Sequence, residues 1–121
     1  MRRVRPSLDR DGERMRAVLT PLFDRHDVLV MPTLARPCPP ARRWGEGSWL
    51  RSVAVSLMFA PMTGMWNMAG FPAASVPAPS VAGLPGSVQL VAAPGGESVL
   101  LALAAQLESA DGWARHAPAY G

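Results

Sequence analysis

The middle third of this chain lacks every side chain that titrates. The forty-five residues from Ser52 to Gly96 contain no Asp, Glu, Lys, Arg, His, Cys or Tyr. General acid–base catalysis needs such a side chain within hydrogen-bond reach of the reacting group. Any chemistry of that kind must therefore use residues outside this stretch.

Lysine is absent from all 121 residues, so the twelve basic residues are arginines, and the net charge is only +3. Four of these arginines lie in the first ten residues, and they form no continuous basic stripe. Nucleic-acid-binding proteins carry such a stripe, or aromatic residues interleaved with basic ones. We therefore expect no nucleic-acid partner. Cys38 is the only cysteine, which excludes an intrachain disulfide and a four-cysteine zinc site.

Charged residues are scarce, at 17% of the chain, while hydrophobic residues make up 49%. An ordinary soluble domain has about 25% charged residues. This imbalance favours a piece of a larger core, or a subunit that buries one face against a partner. The basic N-terminus is not followed by the apolar segment of a secretory signal. The apolar run from Val53 to Ala69 is interrupted by Pro61, Gly64 and Asn67, so we expect a cytoplasmic protein without a membrane span.

Apolar residues recur with the helical period in three segments. Pro21 is expected to kink the first segment near its end, and Pro61 is expected to end the second. The second segment is apolar on most sides, which predicts that it is buried. The predicted helices run from about Asp9 to Arg25, from Ser48 to Pro61, and from Glu97 to Glu108.

Three shorter apolar segments predict β-strands. The run from Val28 to Met31 is continuously apolar, which is typical of a strand buried on both faces in a parallel or mixed sheet. Two further strands, from Ala73 to Val76 and from Ser87 to Ala92, are predicted on either side of a turn from Pro77 to Gly86. The order of helices and strands predicts an α/β fold, with the whole chain as one domain and no second one.

Two motifs resemble the amidase-signature family of hydrolases. Residues 27–33, DVLVMPT, are similar to the family's D-x-L-x-x-P-T strand, and residues 67–73, NMAGFPA, are similar to its N-x-x-G-x-P-A turn. A Gly-Leu-Pro, a Gln-Leu and a Glu-initiated helix follow in the family's order. The resemblance covers about Arg14 to Pro118. It implies that residues 1–121 are the C-terminal part of the amidase-signature fold, a mixed β-sheet covered by helices.

The resemblance also implies an activity, the hydrolysis of a small-molecule carboxamide to an acid and ammonia or an amine, without a metal or organic cofactor. In this family a Ser attacks the amide carbonyl, a second Ser in a cis peptide relays protons, and a Lys is the base. A hydroxyl nucleophile needs such a base. This chain has neither a lysine nor a Gly-Ser-Ser-Gly type loop. No catalytic residue carries over, and we expect the isolated chain to be inactive.

What the resemblance does carry over is part of a substrate pocket wall. It places Met62, Trp66, Asn67 and Gly70 beside the active-site cleft. The alternative for Met62 and Trp66 is packing in the core, since Met fills irregular gaps well. For Asn67 we expect a buried amide that needs its hydrogen bonds made, either to hold the backbone or to contact substrate.

A function of another class also fits the sequence. The chain could be a non-catalytic docking or regulatory subunit that completes a partner, an N-terminal amidase chain carrying the nucleophile. Low charge and an exposed sheet edge would favour such docking. A self-contained hydrolase is disfavoured, because His26 and His116 lie at opposite ends of the chain and no triad geometry is indicated.

Overall fold

The computed structural model describes residues 6–37, 39–41, 43, 46–81 and 83–113. Cys38 and His116 lie outside the described residues. Helices and strands both contribute, which confirms the expected α/β class. The elements are α1 (Pro6–Leu19), a 3-10 turn (Thr20–Asp24), β1 (Val28–Pro32), α2 (Trp49–Phe59), α3 (Pro61–Ala69), β2 (Ala73–Val81), β3 (Leu84–Ala92) and α4 (Glu97–Asp111).

The three strands form one sheet in the order β1-β3-β2. Both pairings are antiparallel, with Leu29 opposite Val91 on one side of β3 and Ala74 opposite Leu90 on the other. β3 is therefore the central strand, and β1 and β2 form the two edges of the sheet as far as the chain is described.

The turn predicted from Pro77 to Gly86 is wrong, because both flanking strands extend through it. β2 continues to Val81 and β3 begins at Leu84, with an irregularity in the pairing shortly before the hairpin end. β2 includes Pro77 and Pro79, residues that are more common in turns than inside strands. An edge strand tolerates proline, since some of its N–H groups face away from the sheet and need no strand partner.

Pro61 ends its helix as expected, whereas Pro21 lies just beyond the end of α1 and does not kink a continuous α-helix. α1 ends at Leu19, and Pro21 lies in the first turn of the 3-10 segment that follows. Pro61 ends α2 and opens α3, a helix that the sequence analysis missed. Proline suits the first turn of a helix, where its missing N–H would have no intrahelical partner. Within the turn expected over residues 67–73, residues 67–69 form the last turn of α3, and the chain leaves the helix at Gly70.

One hydrophobic cluster fills the space between the sheet and the helices α1 and α3. At its centre are the buried side chains of Trp66, Ala69, Phe71 and Val91. The half-buried residues packed around them come from α1, the 3-10 turn, β1 and α3: Met15, Leu19, Phe23, Leu29, Met31 and Met65.

A second cluster lies on the opposite face of the sheet, under α4. Alternate residues of β3 point to opposite faces, so Leu90 and Ala92 contribute here while Val91 contributes to the first cluster. Val76 of β2 and Leu100 of α4 complete its buried centre. α4 begins at Glu97 as predicted and ends at Asp111, with Gly112 in a left-handed conformation at its C-terminus.

Several apolar side chains that were expected in the core are exposed. Val18 of α1 and Leu22 of the 3-10 turn face solvent. Val30 of β1 is 63% exposed, so the prediction of a strand buried on both faces is wrong. The prediction that α2 is buried is also wrong, because four of its large apolar side chains are exposed. An apolar pattern in the sequence predicts which face of an element packs against other residues. It does not show that the described residues are the ones that cover that face.

Two adjacent leucines of α4 test this assignment of the core. Leu100 is 3% exposed and Leu101 is 70% exposed. We expect Leu100→Ala to lower the free energy of unfolding by about 2–5 kcal/mol, because it leaves a cavity in the second cluster. Leu101→Ala should change it by less than about 0.5 kcal/mol. Urea unfolding followed by circular dichroism measures both, and equal effects would contradict the orientation of α4.

Candidate functional site

The four residues predicted to line a pocket lie on α3 and at its C-terminal end, but they do not share one surface. Trp66 is buried in the first cluster, and Met62, one turn earlier, is half-buried. Asn67 is exposed, and the expectation that its amide is buried is wrong. Gly70 follows the helix as its C-terminal cap.

Trp66 is held in place by contacts with one aromatic ring, that of Phe71, and with the sulfur of Met31. Its indole Nε1 donates a hydrogen bond to the Met31 sulfur, at 3.2 Å. Its ring meets Phe71 edge to face, with centroids 5.6 Å apart, and Phe71 stacks on Phe23 at 5.3 Å. Aromatic pairs of these geometries add to the stability gained from burial alone. Trp66 therefore fixes the orientation of α3 on the sheet.

Gly70 ends α3 in the left-handed conformation, with φ of 70°. Its N–H and that of Phe71 bond back to carbonyls of the last helical turn. Arg16 of α1 completes this cap from outside, because its Nε donates to the Ala69 carbonyl at 2.8 Å and its Nη2 donates to the Gly70 carbonyl at 3.3 Å. A guanidinium at a helix C-terminus also interacts favourably with the helix dipole.

Arg16 was not predicted to be part of this site. Its contact with Gly70 joins residues 54 positions apart, and no local pattern indicates it. The structure shows that α1 and the end of α3 are tied together at the point where the chain turns from α3 towards β2.

The face of the sheet that carries the first cluster also holds polar side chains from β2, from β3 and from the residue that follows β1. Met31, Gln89 and Ser75 are register partners on β1, β3 and β2, so their side chains share one face. Beside them, the hydroxyls of Thr33 and Ser75 share a hydrogen bond of 3.2 Å. Gln89 is buried, and its Oε1 has no hydrogen-bond partner among the described residues. These groups can bind an amide or a backbone, but none of them is a general base at neutral pH.

The sequence contained a partial signal for these polar side chains. Thr33 and Gln89 both lie in motifs that resemble the amidase-signature family, although no role was assigned to them. Ser75 gave no such signal, because its place opposite Gln89 depends on the hairpin register.

A second concave region lies between the start of β1 and α4. This open groove has a volume of about 570 Å³, and Arg25, His26, Asp27 and Gln106 contribute its polar side chains. It contains none of the predicted pocket residues. Among the described residues, no three His, Cys, Asp or Glu side chains are grouped so that they could hold a metal ion. Nor does that part of the chain include a helix of the length and hydropathy that a membrane span requires.

The polar side chains on the first-cluster face of the sheet do not titrate, and they lie on an α/β fold. Comparison with known proteins assigns the class. The Amidase family model matches residues 3–101, and the chain belongs to the amidase family.

The chain is similar to three mycobacterial proteins that are named as amidases. It is 40% identical to AmiA2 of Mycobacterium tuberculosis over 99 residues, which is 80% of this chain and 20% of AmiA2. It is 45% identical to AmiB2 of the same organism over 103 residues, or 80% of this chain and 21% of AmiB2. It is 37% identical to AmiC of Mycobacterium bovis over 98 residues, which is 79% of this chain and 21% of AmiC. The chain thus spans about a fifth of the length of these relatives.

Gly70→Ala tests the cap between α1 and α3. A left-handed residue other than glycine costs roughly 1–2 kcal/mol, and a Cβ at this position would also contact Nη2 of Arg16. We expect Gly70→Ala to lower the free energy of unfolding more than Gly95→Ala does. Gly95 is the matched control, because its φ is 84° and no described heavy atom lies within 4 Å of its Cβ position.

The additional loss of unfolding free energy in Gly70→Ala, relative to Gly95→Ala, should disappear when both glycine variants are made in an Arg16→Met background. Urea unfolding of the four variants gives the comparison. An excess that persists without the guanidinium would show that Arg16 is not the group that restricts position 70.

Gln89→Met tests whether the buried amide oxygen of Gln89 lacks a hydrogen-bond partner in the isolated chain. Burying a polar group without a partner costs about 1–3 kcal/mol, and Met has a similar length without the amide. We therefore expect Gln89→Met to leave the free energy of unfolding unchanged or to raise it by up to about 1 kcal/mol. A loss of more than about 1 kcal/mol in urea unfolding would show that the amide is satisfied in solution.

Proposed function

We propose that this chain is the C-terminal segment of an amidase that hydrolyses small-molecule carboxamides at the C–N bond, giving an acid and ammonia or an amine. One observation carries the proposal. The family match runs through residues 3–101, yet the chain spans only about a fifth of its relatives. The other four-fifths of such a protein is then available to hold the nucleophile and the base.

The composition of the chain supports this division. A hydroxyl nucleophile must be activated by a neighbouring base, and the chain has no lysine to act as one. We propose that the chain alone does not hydrolyse amides and that the complete enzyme requires no metal or organic cofactor. A cytoplasmic location and the absence of a nucleic-acid partner remain predictions from the sequence.

Within the complete enzyme, α3 and its cap are proposed to form part of the substrate pocket wall. Asn67 is exposed on the surface of α3, so its amide is free to contact the substrate, and half-buried Met62 offers an apolar neighbour. Trp66 and Gly70 support the wall from behind, because the first packs against the sheet and the second ends the helix.

An alternative function is favoured by the exposed apolar side chains of α2. They would equally suit a docking or regulatory subunit that completes a partner amidase chain. A subunit made to exist separately should be monomeric before it docks and should unfold cooperatively. A segment separated from its parent should bind hydrophobic dyes and lack near-ultraviolet dichroism. Analytical ultracentrifugation and near-ultraviolet circular dichroism distinguish these two cases.

The test of the amidase proposal is a chimera in which this chain replaces the segment of AmiB2 that it matches. An amide hydrolysed by intact AmiB2 is first identified by release of ammonia from a panel of carboxamides. The chimera should hydrolyse an amide of that panel, and the isolated chain should hydrolyse none. A chimera that folds, as judged by cooperative thermal unfolding, but releases no ammonia would overturn the proposal.

Asn67→Ala in the chimera tests the proposed substrate contact. Loss of one hydrogen bond of about 0.5–1.5 kcal/mol corresponds to roughly a two- to tenfold rise in KM. Because Asn67 is exposed, the same substitution should change the unfolding free energy of the isolated chain by less than about 0.5 kcal/mol. Steady-state kinetics and urea unfolding give the two numbers. An unchanged KM would remove Asn67 from the pocket wall.

A further inference from the structure

The helix α2 directs an apolar face away from the rest of the described chain. Leu50, Ala54, Leu57 and Met58 follow the spacing i, i+4, i+7, i+8, so they form one stripe along the helix. All four are exposed, with Leu50 at 70% and Leu57 at 66%. Trp49, at the start of the helix, is 73% exposed. We call these five residues the outer face of α2.

The opposite side of α2 is the one that contacts the chain. Ser52, Val55 and Phe59 are half-buried there, at spacings of three and four residues. The Phe59 carbonyl accepts a hydrogen bond from the Ala35 N–H at 2.9 Å, which places the segment after β1 beside the end of α2. Leu34, the residue before Ala35, is also exposed.

This surface carries almost no charge. Arg51 is the only charged residue of α2, and none follows it until Glu97. Helices that lie on membrane surfaces are rich in Lys and Arg on their polar side, which α2 is not. An apolar area of this kind is uncommon on a monomeric protein and marks a surface that is covered in the functional state.

We infer that the outer face of α2 is covered by the remaining part of an amidase, the part that carries the nucleophile and the base. This inference rests on the proposed function. The family match spans α2, and the relatives contain four-fifths of their length beyond the matched segment. That length is sufficient to bury the stripe from Leu50 to Met58, which this chain leaves open. The catalytic part docks on α2 through apolar contacts, and α3, which follows directly, is thereby placed next to it.

Thiol labelling tests this contact without depending on activity. Leu57→Cys and, as a control, Leu101→Cys are made in a Cys38→Ala background, in the isolated chain and in the AmiB2 chimera. The two leucines are alike in size and in exposure, at 66% and 70%. N-ethylmaleimide modification of each site is followed by mass spectrometry of the peptide that contains it.

We expect position 57 to react at least tenfold more slowly in the chimera than in the isolated chain, and position 101 to differ by less than twofold. Equal reactivity of position 57 in both proteins would overturn the inference. So would equal protection of both positions, because burial would then not be specific to α2. Protection of position 57 that rises with the concentration of the isolated chain would assign the face to a second copy and also overturn it.

The outcomes separate this inference from the proposed function. A chimera that hydrolyses its amide while position 57 stays reactive retains the function and loses the docking face. A folded chimera that protects position 57 but hydrolyses nothing retains the docking face and loses the function.

Discussion

The placement of β3 between β1 and β2 is the constraint on which the rest of the structure depends. β3 supplies Val91 to one hydrophobic cluster and Leu90 and Ala92 to the other. A shift of its register by one residue would exchange these sets between the two faces of the sheet. α3 and α4 would then each lose the side chains against which they pack. The positions of both helices therefore follow from the register of this strand.

The position of α3 depends on contacts from three separate parts of the chain. Its Trp66 bonds to Met31 of β1 and meets the ring of Phe71, while Arg16 of α1 caps its C-terminal carbonyls. Each contact constrains a different part of the helix, so α3 cannot rotate without breaking one of them. This suits a proposed pocket wall, because side chains on a rigid helix are positioned more accurately than those on a loop.

Local sequence patterns predicted the helices and strands that depend on neighbouring residues. They did not predict features that depend on contacts between residues far apart in the sequence. The pattern of apolar residues predicted the start of α4 and the central residues of β1. The proline at position 61 predicted the end of α2. The hairpin was mispredicted because Pro77 is tolerated only by virtue of its place on a sheet edge, and edge position is a property of the assembled sheet. The Arg16 cap and the exposure of Asn67 likewise depend on how α1 and α3 meet. For the outer face of α2, the pattern correctly showed an apolar helix, but whether it is buried depends on atoms that the described chain does not provide.

The Oε1 atom of Gln89 and the outer face of α2 both lie in surroundings that are energetically unfavourable for them. One is a buried acceptor with no donor among the described residues, and the other is an apolar surface in contact with water. Both raise the free energy of the chain, and both are relieved if a neighbouring body supplies an N–H group and an apolar surface. Under the proposed function that neighbour also carries the catalytic base. The stretch from Ser52 to Gly96 would then support catalysis because it contains no titrating side chain. The side chains of this stretch carry no charge of their own that would shift the pKa of the base, and its apolar residues maintain the low dielectric in which fixed dipoles stabilise a developing oxyanion most strongly.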